Sequence, residues 1–276
     1  MPLKKYRTLP ALKVNPGIRA EYRKAMQTLF REMAENVVDS VLEEYDRLEW
    51  RIVPKGAQDA KWRSPAQALI DQENLLMKKW AARYRSAAPY IARVMLNALK
   101  RRVQNQRKKA LRDLGITIKP EPSRVFNDKM QALLLENVRL ITTLPEDFMS
   151  SIQGAVSRSV ASGLDRASLA KELRSMYGPS SKWDKHAKLV ARDQTSKAVQ
   201  TMSMQMDMDM GVTEGIWIHV PGTFSSRPTH VAMRGEKFQL KEGIYDPAVK
   251  RKVFPGSEIC CRCTYRPIFP DNWVAG

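Results

Sequence analysis

The sequence predicts an α+β protein: a mainly helical N-terminal part with long helices, followed by a small C-terminal α+β module with a short mixed or antiparallel sheet. Before Gly211, apolar residues recur at three- and four-residue steps, which is the period of an amphipathic helix. After Gly211, the segment GIWIHV alternates in polarity and is rich in β-branched residues, which is typical of a strand. With 276 residues, 43% of them hydrophobic, the chain is long enough to bury sizeable cores.

The first helix is predicted to follow a basic arm. Residues 1–17 contain three prolines and no apolar period, and a helix then begins at about Ile18 and ends near Trp50. After a loop over 51–64, a serine is followed by Pro65. A capping residue with proline in the first turn favours the start of a second helix there.

The second helical region contains a proline in its middle. In a helix interior, proline removes a hydrogen bond and clashes with the preceding turn, so Pro89 predicts a break or kink near Ala88. A further helix is then predicted from about Tyr90 to Leu114, with Gly115 as its left-handed end.

Four more helices are predicted before the strands begin. One starts near Asn127, one starts at TLPEDF and ends at Gly163, a short one covers Ser168–Tyr177, and a long one covers about Asp184–Met210. The long helix carries an i,i+4 row that is more typical of a core or contact surface than of a cofactor site. The row comprises Val190, Gln194, Ala198, Met202, Met206 and Met210.

Strands are predicted in the segments GIWIHV, EKFQL and CRCTYRPIF. The change from helical to strand-like character suggests a division of the chain into four parts. These are the basic arm at 1–17, a helical domain at 18–125, a helical connector at 126–183 and the α+β module at 184–276.

The charge balance favours a polyanionic partner. Lys and Arg number 47 against 29 Asp and Glu, which gives a net charge of +18. Such a field attracts nucleic acid first and an anionic membrane second. No apolar run is long enough to cross a bilayer, and MPLKKYRTLP lacks the apolar core of a secretory signal. We therefore expect no membrane partner, synthesis in the cytosol and reduced cysteines.

The segment KRRVQNQRKKALR concentrates the positive charge on one predicted helix. It contains seven basic residues and no acidic one, whereas an ordinary salt-bridged surface helix interleaves both signs. It also lacks aromatic residues, so we expect contacts to phosphates without base stacking. The candidate nucleic-acid-binding residues are Lys100, Arg101, Arg102, Arg107, Lys108, Lys109 and Arg112. A solvated surface helix without a ligand is the alternative.

All three cysteines of the chain lie within SEICCRCTYRPIF, so they cannot connect distant parts of the fold. Cys261 and Cys263 would alternate on a strand and face the same side. With His230 they are candidate zinc ligands, because thiolates and imidazoles are the ligands that zinc prefers. Two small cysteines packed in a core are the alternative. The fourth ligand is left open among Cys260, His219 and Glu258.

The known catalytic motifs do not fit the sequence. A zinc deaminase requires H-x-E and P-C-x-x-C, whereas this chain has HVAMRGE and C-C-R-C. The segment VPGTFSSRPTH has one glycine and no Walker lysine, and no paired acidic motif suggests a magnesium nuclease. We therefore expect that the protein is not an enzyme.

Four segments together resemble the phage Mu F-like minor head protein family: LVARDQTSKAVQ, GVTEGIWIHV, SSRPTHVAMRGEKF and PGSEICCRCTYRPIF. The resemblance covers roughly 150–270, and ENVRLITTLPEDFMSSI is also similar to helices of head morphogenesis proteins. The family pattern falls on Arg192, Asp193, Gln194, Gly215, Trp217, Arg227, His230, Gly235, Cys261, Arg262, Cys263 and Pro267.

The resemblance implies a low-copy internal head protein of a tailed bacteriophage. Such a protein would associate with the portal, and with a scaffold or major capsid protein, and would act in packaging or delivery of double-stranded DNA. It would lie in the virion head near the portal, and in the host cytoplasm during assembly. Within the module, we expect His230 near Cys261 and Cys263, with Arg227 and Arg262 bracing the loop.

Two other functions remain open at this point. One is a phage-delivered effector enzyme, such as a nuclease that uses His219, His230 and nearby arginines without a metal. The other is a basic DNA-binding protein of the host. RNA turnover that depends on His230 would favour the first, and sequence-selective DNA binding would favour the second.

Overall fold

In a computed structural model, the structure describes residues 7–47, 65–116, 121–162, 166–221 and 226–269. The described part contains seven helices and five strands, which confirms the predicted α+β class. The helices are α1 (Pro16–Arg47), α2 (Pro65–Arg112), α3 (Arg124–Thr142), α4 (Leu144–Ser162), α5 (Arg166–Ser175), α6 (Lys182–Asp209) and α7 (Pro228–Ala232). The strands are β1 (Glu214–Ile218), β2 (Lys237–Gln239), β3 (Ile244–Asp246), β4 (Arg251–Val253) and β5 (Thr264–Pro267).

The chain forms two compact units, and neither is a single continuous stretch of sequence. Unit 1 comprises 1–22, 92–136 and 189–276, and unit 2 comprises 23–91 and 137–188. The long helices α1, α2, α3 and α6 therefore each contribute residues to both units. Among the described helices, none is both long enough and apolar enough to cross a bilayer.

The predicted break at Pro89 is wrong, because α2 is one continuous helix of 48 residues with Pro89 in its interior. Proline at this position withdraws one hydrogen bond, from the carbonyl of Arg85, and Arg85 is exposed, so water can solvate that carbonyl. Buried residues on both sides of the proline, Tyr84 and Ala88 before it and Ala92 after it, maintain the packing of the helix.

The other helices agree closely with the predictions where the structure describes them. Gly115 and Gly211 adopt the left-handed conformation expected at a helix end, with φ of 73° and 89°. The predicted ends at Trp50 and Gly163, and the loop at 51–64, lie outside the described residues.

Unit 2 is helical and is centred on three aromatic rings. Phe30 meets Phe148 edge-on with ring centroids 5.1 Å apart and stacks on Trp183 at 5.5 Å. On another part of the unit, the indole of Trp80 donates a hydrogen bond of 2.9 Å to Asn36 Oδ1. The edge-to-face contact between Phe30 and Phe148 is an arrangement that aromatic clusters favour in cores.

Glu73 on α2 is a buried carboxyl group in unit 2. It is 2% exposed, and its Oε1 has no hydrogen-bond partner among the described residues. Burial raises the pKa of Glu73 to about 7. The folded pKa therefore lies above the unfolded one, so the stability that the protonated group contributes at low pH is lost as the pH rises through 7.

We expect the Glu73→Gln variant to be more stable than the parent protein at pH 8, by about 1–2 kcal/mol, and close to it at pH 5. The amide keeps the shape of the protonated acid and removes the cost of ionising it. Urea unfolding at both pH values measures the difference. Glu43→Gln, at an exposed position on α1, is the matched control and should show no such pH dependence.

Unit 1 contains the sheets. β1 is the central strand of a three-stranded antiparallel sheet of order β2-β1-β5, and β3 pairs with β4 in a separate hairpin. The first described residues of the chain also belong to unit 1. Leu9 N donates to Pro267 O at 3.1 Å, and Leu9 and Leu12 are buried. Within the predicted basic arm, Leu9 and Leu12 are therefore packed in unit 1 beside β5, while Arg7 and Pro10 are exposed.

The methionine row of α6 lies in the core. Met202, Met206 and Met210 are between 1% and 9% exposed, so this row is not a contact surface. Two other methionines of the same helix, Met204 and Met208, line a separate groove that is described below.

Candidate metal centre

Three chain segments of unit 1 bring histidine and cysteine side chains together. His219 follows directly after β1, His230 lies on the short helix α7, and Cys261 and Cys263 lie in the loop before β5. Because β1 and β5 pair in the sheet, the exit of one strand and the entry of the other are neighbours. The four residues line one small cavity of about 50 Å³.

The donor atoms of these residues are close to one another. His230 Nδ1 lies 3.4 Å from Cys261 Sγ and 3.8 Å from Cys263 Sγ. The donor atoms of His230, Cys261 and Cys263 all lie within 4.8 Å of each other. On the other side, His219 Nδ1 lies 3.6 Å from Cys263 Sγ. The sequence prediction that His230 lies near both cysteines is thus met by the geometry.

The opposite edge of the His230 ring faces a buried carboxylate. His230 Nε2 lies 3.4 Å from Oδ2 of Asp246, which is 0% exposed. The same Oδ2 accepts a hydrogen bond from the Thr229 hydroxyl at 3.2 Å, and Oδ1 accepts one from Ala248 N at 2.9 Å. Asp246 is therefore held from both sides and lies beside the Nε2 edge of the imidazole, while Nδ1 points at the thiols.

The expectation that the cysteines lie on a strand is wrong, because β5 begins only at Thr264. Cys260 has a positive φ of 59°, and a turn closed by Cys261 N and Glu258 O precedes the strand. The turn changes the direction of the chain, and both Cys261 and Cys263 nevertheless face His230 and are buried. Hydrogen bonding with Cys263, and then with His230, lowers the pKa of the Cys261 thiol.

Two residues of the family pattern hold this turn in place. Asp193 on α6 accepts a hydrogen bond of 2.7 Å from Cys260 N, at the position with positive φ. Arg227 donates from Nη2 to Ile259 O at 3.0 Å. Arg227 thus makes the bracing contact that we expected, while Arg262 is half-buried and lines the cavity.

Other residues of the pattern shape the sheet beneath the cavity. Trp217 is 0% exposed and meets His230 edge-on with ring centroids 5.4 Å apart. At Gly215, an added Cβ would lie 2.8 Å from a ring carbon of Tyr265, so the pairing of β1 with β5 requires glycine there. Gly235 has a φ of 85° and donates its N–H to Trp217 O, which turns the chain towards β2.

The basic residues of the KRRVQNQRKKALR segment lie on α2 in unit 1, away from these ligands in the sequence. Five of the seven are exposed: Arg101, Arg102, Lys108, Lys109 and Arg112. Lys100 is half-buried, with its amine 5.6 Å from the centre of the Phe126 ring. Lys109 also forms an exposed ion pair with Asp113 at 3.6 Å.

Arg107 is not part of the exposed basic surface that was predicted to contact nucleic acid. Its side chain is fully buried, with Nη2 2.6 Å from Asp207 Oδ2 and Nη1 2.8 Å from Pro10 O. The Tyr265 hydroxyl donates to the same Asp207 carboxylate. A guanidinium with these partners is not available to a phosphate, so Arg107 is a structural residue.

A larger groove lies elsewhere in unit 1, between α3, α6 and the loops that follow β2 and β4. Its volume is about 650 Å³, and its apolar lining includes Val125, Leu133, Met204, Met208, Leu240 and Phe254. Three lysines, Lys129, Lys197 and Lys241, line it together with one acid, Glu136. Lys197 pairs with Asp193 and Glu136, at 3.0 and 3.4 Å, and Lys129 lies near Asp209. The lining itself still contains more lysines than acids.

Sequence reasoning missed Asp246 and Asp207, the two buried carboxylates on which these sites depend. Asp246 lies on a three-residue strand with no motif around it, so the sequence offered no signal for it. Asp207 carried a signal, because it lies on α6 between the buried residues Met206 and Met210. An acidic residue at such a position needs a buried cation as its partner.

The C-terminal part of the chain is similar to a known protein family. The family model for "Phage Mu protein F like protein" matches residues 150–266. An uncharacterised protein of Haemophilus influenzae is 23% identical over 160 residues, which are 58% of this chain and 33% of that protein. The chain thus spans about a third of the length of this curated relative. No solved structure matches the chain.

The matched range contains the helix with Asp193, the sheet with Trp217, and all four residues around the small cavity. It agrees with the range of about 150–270 over which the sequence resembles the family. Residues 150–266 of this chain are therefore similar to the phage Mu F-like family.

Proposed function

We propose that this protein is a low-copy minor head protein that associates with the portal inside the virion head and contacts the packaged DNA. The observation that carries the proposal is the phage Mu F-like match over 150–266. In this role the protein is in the host cytoplasm during assembly, acts in head assembly and in genome packaging or delivery, and needs no catalytic activity. Two surfaces of unit 1 support the partners, one for DNA and one for a capsid protein.

The DNA contact is assigned to the exposed basic face of α2. Arg101, Lys108 and Arg112 are seven and four residues apart, so they lie on one face of the helix along about 16 Å. Arg102 and Lys109 flank this row. Because the segment has cations without aromatic residues, it suits phosphate contacts that are independent of base sequence.

We expect the triple variant Arg101→Gln, Lys108→Gln, Arg112→Gln to bind double-stranded DNA more weakly at low salt. Each lost phosphate contact lowers the slope of log K against log salt by about 0.9, so the slope should fall by about 2–3. Fluorescence anisotropy with duplexes of unrelated sequence, over a salt series, measures it.

The control for this variant removes the same charge elsewhere. Lys171, Arg174 and Lys188 are also exposed, and their joint replacement by glutamine lowers the net charge equally. If this control reduced the slope as much as the α2 variant, the DNA contact would be a property of net charge and not of α2.

The portal contact is assigned to the groove of about 650 Å³. Apolar grooves that contain methionines accommodate amphipathic helices, because the thioether side chains adapt to the surface they meet. Since the lining of the groove contains more lysines than acids, the occupant we propose is an amphipathic segment of the portal protein that carries acidic residues.

We expect Val125→Glu to weaken the complex with the portal protein about tenfold or more. Val125 lines the groove and is 51% exposed, so a glutamate there should leave the fold intact while it repels an acidic segment. The measurement is size-exclusion chromatography after co-expression, in about 0.5 M salt, which screens weak electrostatic binding.

Leu135→Glu is the matched control for the groove. Leu135 lies on the same helix, is 61% exposed and does not line the groove. Co-elution should persist in this variant. Equal loss in both variants would place the contact outside the groove, and no complex even for the parent protein would reject the portal association.

A second candidate function is an RNase-like effector. The observation that favours it is that His219 and His230 share one small cavity with Arg227 and Arg262. Turnover of RNA by the purified protein, lost in both His219→Ala and His230→Ala, would support this function over the assembly role. The expected result under our proposal is no turnover above that of the variants.

A further inference from the structure

We infer that His219, His230, Cys261 and Cys263 bind one Zn²⁺ ion in a closed, structural site. The sequence left the fourth ligand open among three residues, and the structure points to His219. The inference is independent of the portal and DNA contacts, because it concerns how the phage Mu F-like module is held together.

The distances between donor atoms fit a tetrahedral zinc ion. Zn–S bonds of about 2.3 Å and Zn–N bonds of about 2.0–2.1 Å at tetrahedral angles place S and N about 3.6 Å apart. The two S···N distances of His230 are 3.4 and 3.8 Å, and that between His219 and Cys263 is 3.6 Å. All three lie within about 0.2 Å of the expected separation.

The other two candidates for the fourth ligand are engaged differently. Glu258 forms an ion pair with Arg251, in which Oε1 lies 2.6 Å from Nη2. Cys260 stands at a turn position whose backbone N–H is bonded to Asp193. Among the described residues, the donor atoms of His230, Cys261 and Cys263 form the compact cluster. His219 lies outside that cluster, but it lines the same cavity and its Nδ1 lies 3.6 Å from Cys263 Sγ, so a small movement of its side chain would complete the site.

Asp246 is placed where zinc-binding histidines have their outer support, with Oδ2 3.4 Å from His230 Nε2. A ligating histidine usually gives its second ring nitrogen to a carboxylate, which fixes the tautomer and makes the ligating nitrogen more basic. Here Nε2 of His230 faces Asp246 while Nδ1 faces the thiols. Asp246 is fully buried and hydrogen-bonded through both oxygens, so its position does not depend on the histidine.

Four protein ligands leave no open position for a water or substrate, which is the arrangement of structural zinc. The ion would join the exit of β1, the helix α7 and the entry of β5. It would add to the contacts that already join these segments, which include the β1–β5 pairing and the Arg227 bond to Ile259 O. Because metal binding stabilises only the folded state, zinc would stabilise the module.

The test is a metal analysis of the full chain purified without chelator. We expect about one zinc per chain, and we expect added Co²⁺ to give the thiolate-to-cobalt absorption of a cysteine-containing tetrahedral site. A chelator should lower the melting temperature of the parent protein. Absence of zinc together with no cobalt absorption would overturn the inference, as would a chelator that removes the metal without changing the melting temperature.

Variants then separate the ligands from their neighbours. Cys263→Ser should lose the cobalt absorption, and the joint Cys261→Ser, Cys263→Ser variant should have a lower melting temperature that no longer responds to chelator. His219→Ala should weaken zinc binding at least about tenfold, and Asp246→Asn about 10–100-fold. His219 is half-exposed, so its variant is expected to fold even if a cysteine variant does not.

Cys260→Ser is the matched control, since Cys260 is adjacent to Cys261 and lines the same cavity. It should retain one zinc per chain with unchanged affinity. If Cys260→Ser lost the metal while His219→Ala kept it, the assignment of His219 as fourth ligand would be wrong.

Discussion

Replacing Arg107 with alanine is expected to lower the free energy of unfolding by about 3–5 kcal/mol. The guanidinium is completely buried and holds both the Asp207 carboxylate and the carbonyl of Pro10. Burial alone lowers the pKa of Arg107, but Asp207 and Tyr265 outweigh that effect, so the pKa lies above its usual value. Truncation would leave Asp207 as a buried charge without its cation.

Urea unfolding monitored by circular dichroism measures this loss. Arg101→Ala on the same helix is the control, and because Arg101 is exposed its effect should stay within about 0.5 kcal/mol. Replacing Arg107 and Asp207 together with apolar residues should recover part of the loss, since no unpaired charge then remains. A loss below about 1 kcal/mol for Arg107→Ala would show that the pair is not buried in solution.

Replacing Trp217 with alanine is expected to cost about 3–5 kcal/mol, which is typical of deleting a buried aromatic side chain. Trp217 is 0% exposed and is the centre of the apolar core beneath the sheet, where it meets both His230 and Phe238 edge-on. The cavity left behind would be bordered by the β1–β5 pair, which cannot collapse without losing its register.

Ile216→Ala is the matched control for Trp217, because neighbouring residues of a strand face opposite sides of the sheet. Ile216 is only half-buried, so its truncation should cost clearly less than that of Trp217. Thermal unfolding of the two variants compares them directly. Equal destabilisation would contradict the burial of Trp217 on one face of the sheet.

Most helices could be predicted from the sequence because their apolar period is long and regular, as in α6. The strands β3 and β4 could not, since they lie in a segment rich in Gly, Pro and charged residues that is typical of loops. The error at Pro89 has a different cause: the packing of Tyr84 and Ala92 outweighs a lost hydrogen bond that water can replace. Tertiary contacts of this kind are not visible in a local pattern.

Arg107 shows where a charge pattern misleads. It is the one fully buried member of the basic segment, and it lies on the apolar face of α2, four residues after Val103 and four before Leu111, both buried. Its position in the helical period could have separated it from the exposed cations. Its partner Asp207 lies 100 residues away, and no local signal connects the two.

The candidate metal centre was only partly predictable for a similar reason. The C-x-C spacing and a distant histidine indicated the ligands His230, Cys261 and Cys263, which the structure brings together. His219 is separated from the cysteines by over forty residues, and only the pairing of β1 with β5 brings them close. Asp246 lies on β3, in a hairpin that the sequence did not indicate.

The measurement that tests the proposed function most directly is the incorporation of this protein into assembled heads. Heads would be assembled in cells with and without the portal protein, and the copies of this chain per head counted by quantitative mass spectrometry. We expect a low, constant copy number in heads that contain the portal, and none in heads that lack it. Equal incorporation without the portal, or absence from both, would contradict the assignment as a portal-associated minor head protein.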